Sequence, residues 1–252
     1  MSDISRNPPH HIDPAGPPAE LLEYSHGGVT MGGYLFRPAT ASPAPCVLVG
    51  HDAMGLGEHV KARAQGFAKL GYLALAYDLY GAEGFPIEES MDRHLAIANA
   101  PGLMCARVRA ALDALTSQKG ADALRAAATG FCQGGITAME LARARAPIRA
   151  AIGFHPGLAR PEGSAEGPIS ARVLMFIGEQ DIIAPLEVRR AWAEEMTAKG
   201  ARWELHLFGG LTHSFTNQDL GRCGDPTFQY DASADRRSWR TALDLLEEVF
   251  AE

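Results

Sequence analysis

Short continuous apolar runs take turns along this chain with segments whose apolar residues recur every three or four positions, and this alternation is its strongest structural signal. Residues 21–38 alternate apolar and polar positions around Gly27-Gly28, which predicts two antiparallel strands joined by a tight turn. The run Cys46-Val47-Leu48-Val49, ending at Gly50, has no polar face and predicts a strand covered on both sides. Helical spacing follows over 58–70, closed by Gly71 as a C-cap, and 72–77 repeat the buried-strand pattern. Further helices are predicted over 87–100, 103–117, 134–146, 186–199 and 234–250, and further strands over 124–129, 148–154, 173–177 and 203–208. Strands and helices in this order predict an α/β fold, a mostly parallel central sheet with helices on both faces.

Composition changes that picture little. A chain of 252 residues with 46% hydrophobic and 21% charged positions is long enough for one large packed domain, expected over residues 21–252. Residues 1–20 differ: Pro8, Pro9, Pro14, Pro17 and Pro18 stand among few apolar side chains, which predicts a disordered arm, with His10 and His11 inert toward metals. The net charge of −7 comes without any basic run, so nucleic-acid binding is not expected. With no long apolar span and no leader pattern, a cytoplasmic protein, monomer or homodimer, that does not engage membranes is expected. The 4 cysteines, Cys46, Cys105, Cys132 and Cys223, never form C-x-x-C and are read as reduced.

The candidate chemistry lies in Gly130-Phe131-Cys132-Gln133-Gly134-Gly135, between a predicted strand and a predicted helix. A nucleophile at the apex of such a turn needs small neighbours so that strand and helix can approach closely. The helix N-terminus then favours a thiolate and, later, an oxyanion. Nucleophile elbows take their partners in the order nucleophile, acid, histidine. Asp181 in Gly178-Glu179-Gln180-Asp181 and His213 in Thr212-His213-Ser214-Phe215 follow successive predicted strands in that order. Glu179 is the rival acid and His155 the rival base, although His155 precedes the acid; His206, Cys46 and Cys105 fall inside strand or helix patterns and read as structural.

These motifs, with Tyr77-Asp78-Leu79-Tyr80-Gly81, resemble the dienelactone hydrolase family from about residue 21 to the C-terminus. The resemblance implies an α/β-hydrolase fold, a Cys132-His213-Asp181 triad and no metal or organic cofactor. It places His51-Asp52-Ala53 in the family loop where a glutamate modulates the thiolate. Asp52 takes that glutamate's position, and Ala53 and Gln133 supply the oxyanion-hole N–H groups. Family members that act on anionic dienelactones hold the substrate carboxylate with arginines; here Asn217 occupies one such position and Arg93 is the candidate for the other. Tyr80, Phe85 and Phe154 are candidate pocket walls, core packing being the competing reading for Phe154.

The function expected is hydrolysis of small-molecule esters or lactones through a Cys132 thioester, with neutral aryl phosphotriesters as further substrates. Two other classes compete. A thiol redox sensor would leave His213 and Asp181 dispensable, and a non-catalytic binding module would retain ligand without turnover.

Overall fold

The computed structural model describes residues 3–39, 43–81 and 87–252. Strands β1 (Ala19–His26), β2 (Val29–Phe36), β3 (Ala44–Gly50), β4 (Leu73–Tyr77), β5 (Ala121–Phe131), β6 (Ala150–Phe154), β7 (Arg172–Gly178) and β8 (Arg202–Phe208) form one sheet in the order β1-β2-β4-β3-β5-β6-β7-β8. β1, β2 and β4 pair antiparallel, and every pairing from β4 through β3 to β8 is parallel.

The continuous apolar runs become strands because both faces of the sheet are covered. Along β3, Cys46 and Leu48 face helices α3 (Leu103–Thr116), α4 (Gln133–Arg143) and α5 (Leu186–Ala198); Val47 and Val49 face α1 (Glu58–Lys69) and α7 (Ala232–Ala251). β7 divides in the same way, Val173, Met175 and Ile177 to one side and Leu174 and Phe176 to the other. Phe154 belongs to this packing: fully buried, it is stacked between Phe131 at 5.0 Å and Phe176 at 5.2 Å, so it is core and not pocket wall. Two short helices, α2 (Ser90–Ala98) and α6 (Gln218–Gly221), lie in loops.

Two expectations need correction. β5 is longer than predicted at both ends, and Leu124 near its start is 80% exposed, because the ladder with β3 shifts register between Pro45 and Cys46. The proline-rich N-terminal segment, predicted to be loose, is laid over α1 and α7 in its described part. Trp239 donates its indole N–H to Ile4 O, Ile12 N–H is held by Glu58, and Gln65 and Lys69 bind Asp13. Few apolar residues are needed for this, since prolines carry less chain entropy to lose and Gly66 leaves room for Pro9 against the helix. No helix among the described residues is long and apolar enough to cross a membrane.

Candidate active site

Parallel strands deliver their following loops to one edge of the sheet, and the candidate residues all leave that edge. Asp52 and Ala53 follow β3, Tyr80 follows β4, Cys132 follows β5, His155 follows β6, Asp181 follows β7 and His213 follows β8. Cys132 caps α4 with φ +49°, a left-handed backbone unusual for a residue with a side chain. Its N–H is tied to Phe154 O at 2.9 Å. The elbow closes because bare backbones touch: a Cβ on Gly134 would lie 2.3 Å from Gly50 O, so the end of β3 and the start of α4 meet at van der Waals limit.

The candidate acid and base, Asp181 and His213, are brought together. His213 Nδ1 and Asp181 Oδ2 are 2.7 Å apart, both residues are buried, and Asp181 also accepts Ile183 N–H at 2.9 Å. His213 is held in turn by its N–H to Thr227 O and by Gln229 N–H to its carbonyl. Its other nitrogen, Nε2, is buried and has no partner other than Cys132. Burial depresses the basicity of this imidazole, but the charge of Cys132 and the hydrogen bond to Asp181 outweigh it and raise its pKa to about 10. Cys132 is therefore the group the free side of His213 answers to.

Glu179, the rival acid, is exposed. The rival base, His155, is fully buried with Nε2 2.8 Å from Thr216 Oγ1, and its ring meets His213 edge-on at 5.1 Å. Burial and the neighbouring His213 hold it well below the usual histidine range, so it packs as a neutral ring behind the base.

On the opposite side of Cys132 the loop after β3 is braced by hydrogen bonds. Leu79 N–H donates to His51 Nε2 at 3.1 Å, which leaves the proton on Nδ1 for Asp52 O at 2.6 Å. Asp52 accepts Met54 N–H at 2.9 Å and Asn217 Nδ2 at 3.2 Å, and burial raises its pKa. Gln133, first residue of α4, has an N–H with no intrahelical acceptor. Tyr80 differs from its predicted role. It is buried, with its hydroxyl 3.0 Å from Ala53 O and 2.6 Å from Gln133 Oε1, so it braces both candidate oxyanion residues instead of presenting a pocket wall. Desolvation raises the Tyr80 pKa, and the charges of Asp52 and Cys132 raise it further, which places all three groups within one electrostatic neighbourhood.

The predicted substrate residues divide. Asn217 uses its carbonyl to cap α6 through Asp219 and Leu220 N–H and its amide to hold Asp52. It borders, with Asp52, Met54, His59 and Cys223, a groove of about 270 Å³. Arg93 lies on α2 with its guanidinium 2.8 Å from Glu89. Phe85 falls outside the described residues. Sequence reasoning missed His51 and Thr216, whose roles are to orient neighbours; only their position beside motif residues signals them. Among the described residues, no group of three or more His, Cys, Asp or Glu is arranged to hold a metal ion.

Comparison with known proteins agrees with the fold. The solved dienelactone hydrolase-like promiscuous phosphotriesterase P91, from metagenomic libraries, is 34% identical and superposes with a TM-score of 0.88 over 93% of this chain and 99% of its own. An uncharacterized protein of Caenorhabditis elegans, K02A2.1, is 34% identical over 152 residues, 60% of this chain and 96% of that one. A provisionally named carboxymethylenebutenolidase of Escherichia coli (strain K12) is 26% identical over 233 residues, 88% of this chain and 83% of that one. The profile described as the dienelactone hydrolase family matches residues 31–250, and the chain belongs to that family.

Proposed function

We propose that this hydrolase cleaves carboxylic esters and lactones through a covalent Cys132 intermediate, and that it also accepts neutral aryl phosphotriesters. The observation that carries the reading is the state of His213: its Nδ1 is bound to Asp181 at 2.7 Å, its Nε2 has no partner other than Cys132, and its basicity is lifted by Cys132.

In this reading Cys132 Sγ, as thiolate, attacks the acyl carbon and the carbonyl electron pair moves to oxygen, where the N–H groups of Gln133 and Ala53 receive it. The intermediate collapses, the carbon–oxygen bond to the leaving group breaks, and His213 Nε2 hands its proton to the departing alkoxide. A thioester remains. Neutral His213 then takes a proton from water as the water oxygen attacks the thioester, and the thiolate leaves to restore the starting pair. Asp181 holds the imidazole tautomer throughout.

The phosphotriester extension is supported by the name of the P91 relative and by Asn217, which puts no cation beside Asp52 for an anionic substrate. A neutral triester presents phosphorus to the thiolate without charge repulsion. The test is turnover of p-nitrophenyl esters and diethyl aryl phosphates by the wild type and Cys132→Ala, with intact-mass detection of the adduct. Cys132→Ala is expected to lose at least about a thousandfold in kcat/KM, together with the adduct. Equal rates in the two proteins would overturn the nucleophile, and ester turnover without any phosphotriester turnover would remove the extension.

A further inference from the structure

Arg63, on α1, is fully buried and lies between the two halves of the candidate site. Its guanidinium stands 5.6 Å from the ring of Phe131, the residue before Cys132, and 5.5 Å from that of Trp239. A single nitrogen, Nη2, donates to Thr216 O at 3.0 Å and to both oxygens of Asp235 at 2.9 and 3.0 Å, while Nε and Nη1 have no hydrogen-bond partner. Thr216 is three residues beyond His213, and its hydroxyl holds His155, whose ring abuts His213. A buried ion pair with unused donors is a weak source of stability, since hydrophobic replacements often stabilise more.

The pair is completed from outside the core. His10, in the N-terminal segment, places Nε2 3.3 Å from Asp235 Oδ2 and 3.2 Å from the Tyr230 hydroxyl, with its ring edge-on to Tyr230 at 5.4 Å. This segment precedes the residues matched by the family profile, 31–250.

We propose that Arg63, clamped by Asp235, which His10 of the N-terminal segment holds in turn, is a positioning residue that sets the His213 loop against Cys132. The proposal rests on the Cys132-His213-Asp181 reading above. His10 reaches His213 in five contacts, through Asp235, Arg63, Thr216 and His155. A displacement of the base by a fraction of an ångström is enough to slow proton transfer without altering where substrate binds.

The groups facing His10 are Asp235 of α7, Tyr230 before it, Arg63 and His59 of α1, Arg222 after α6 and its neighbour His11. Burial first, then the cationic Arg63, lowers the His10 pKa to about 4, so the contact to Asp235 is made by a neutral imidazole. Arg63 already supplies the positive partner. Protonation therefore opposes docking, and the positioning weakens as pH falls from 6.5 towards 4.

The test is acylation burst kinetics with p-nitrophenyl acetate on full-length His10→Ala, His10→Gln and Arg63→Lys. His10→Ala is expected to slow acylation about fivefold with KM within about twofold, His10→Gln to recover most of the loss, and Arg63→Lys to slow it about tenfold or more. The part of the acid limb between pH 6.5 and 4 that belongs to His10 should vanish in His10→Gln. Unchanged acylation and pH profile in His10→Ala would overturn the proposal, whatever happens to the melting temperature, and this holds even if Arg63→Lys fails to fold. A burst that survives Cys132→Ala would overturn the nucleophile reading and this one with it; a burst lost there but indifferent to His10 overturns the positioning alone.

Discussion

Most polar side chains near Cys132 are fully engaged by the scaffold, as Asp181 is by His213 and Ile183 N–H, and those engagements set what substitutions should do. Asp181 contributes to the raised pKa of His213 through its hydrogen bond and its charge. Asp181→Asn should therefore lower the His213 pKa from about 10 and bring the alkaline limb of kcat/KM to lower pH, with a loss of about a hundredfold or more at neutral pH. A pH–rate profile with an unmoved alkaline limb would detach Asp181 from the base. Tyr80 acts at one remove, through Ala53 and Gln133. Tyr80→Phe removes that brace and keeps the ring, so kcat should fall about tenfold with KM nearly constant; equal steady-state constants would return Tyr80 to simple packing. Cys132, Asp181 and His213 were legible as residues because their motifs carry chemistry directly. The Tyr80 role was not, since a tyrosine reads alike as wall or brace until its hydroxyl has partners.

At the level of elements, the elbow is a contact between the end of β3 and the start of α4 that only glycine permits. Gly134→Ala would drive a Cβ to 2.3 Å from Gly50 O, which is backbone and has nowhere to move. A loss of about 3 kcal/mol is expected, a fall of roughly 6–12 °C in Tm for a protein of this size. Gly209→Ala, with nothing within 4 Å of the added carbon, is the control and should leave Tm within about 1–2 °C by thermal unfolding. Strand and helix order was readable because burial on both faces writes continuous apolar runs. Ends were less so: the start of β5 depends on a register shift against β3 that no local pattern records. The N-terminal segment misled for a related reason. Composition measures how much apolar surface a segment owns, and this one is held by hydrogen bonds and by the notch at Gly66.

For the whole molecule, joining that segment to the body creates two opposed pH linkages. Burial, opposed by Arg63, raises the folded-state pKa of Asp235 to about 6, so its stabilising contribution is full below its ordinary value near 3.8 and is lost as pH rises through 6. His10, depressed to about 4, contributes stability above 6.5 that is lost as pH falls through 4. The wild type should show little slope from this pair between pH 4 and 6. His10→Gln should become less stable as pH rises from 4 to 6, and Asp235→Asn should lose stability as pH falls from 6.5 to 4; urea unfolding across that range, with slopes in the reverse sense, would refute the pairing. The sequence by itself determined the strand and helix order, the elbow and the ordered Cys132, Asp181 and His213 motifs, because periodicity, glycine placement and motif chemistry are local properties of a chain. Tertiary structure decided which side chains surround the proposed triad: the contacts of Tyr80, His155, Arg63 and His10 join partners 27 to 225 residues apart, as in Tyr80 with Ala53 and His10 with Asp235, and such partnerships exist only once the chain has folded.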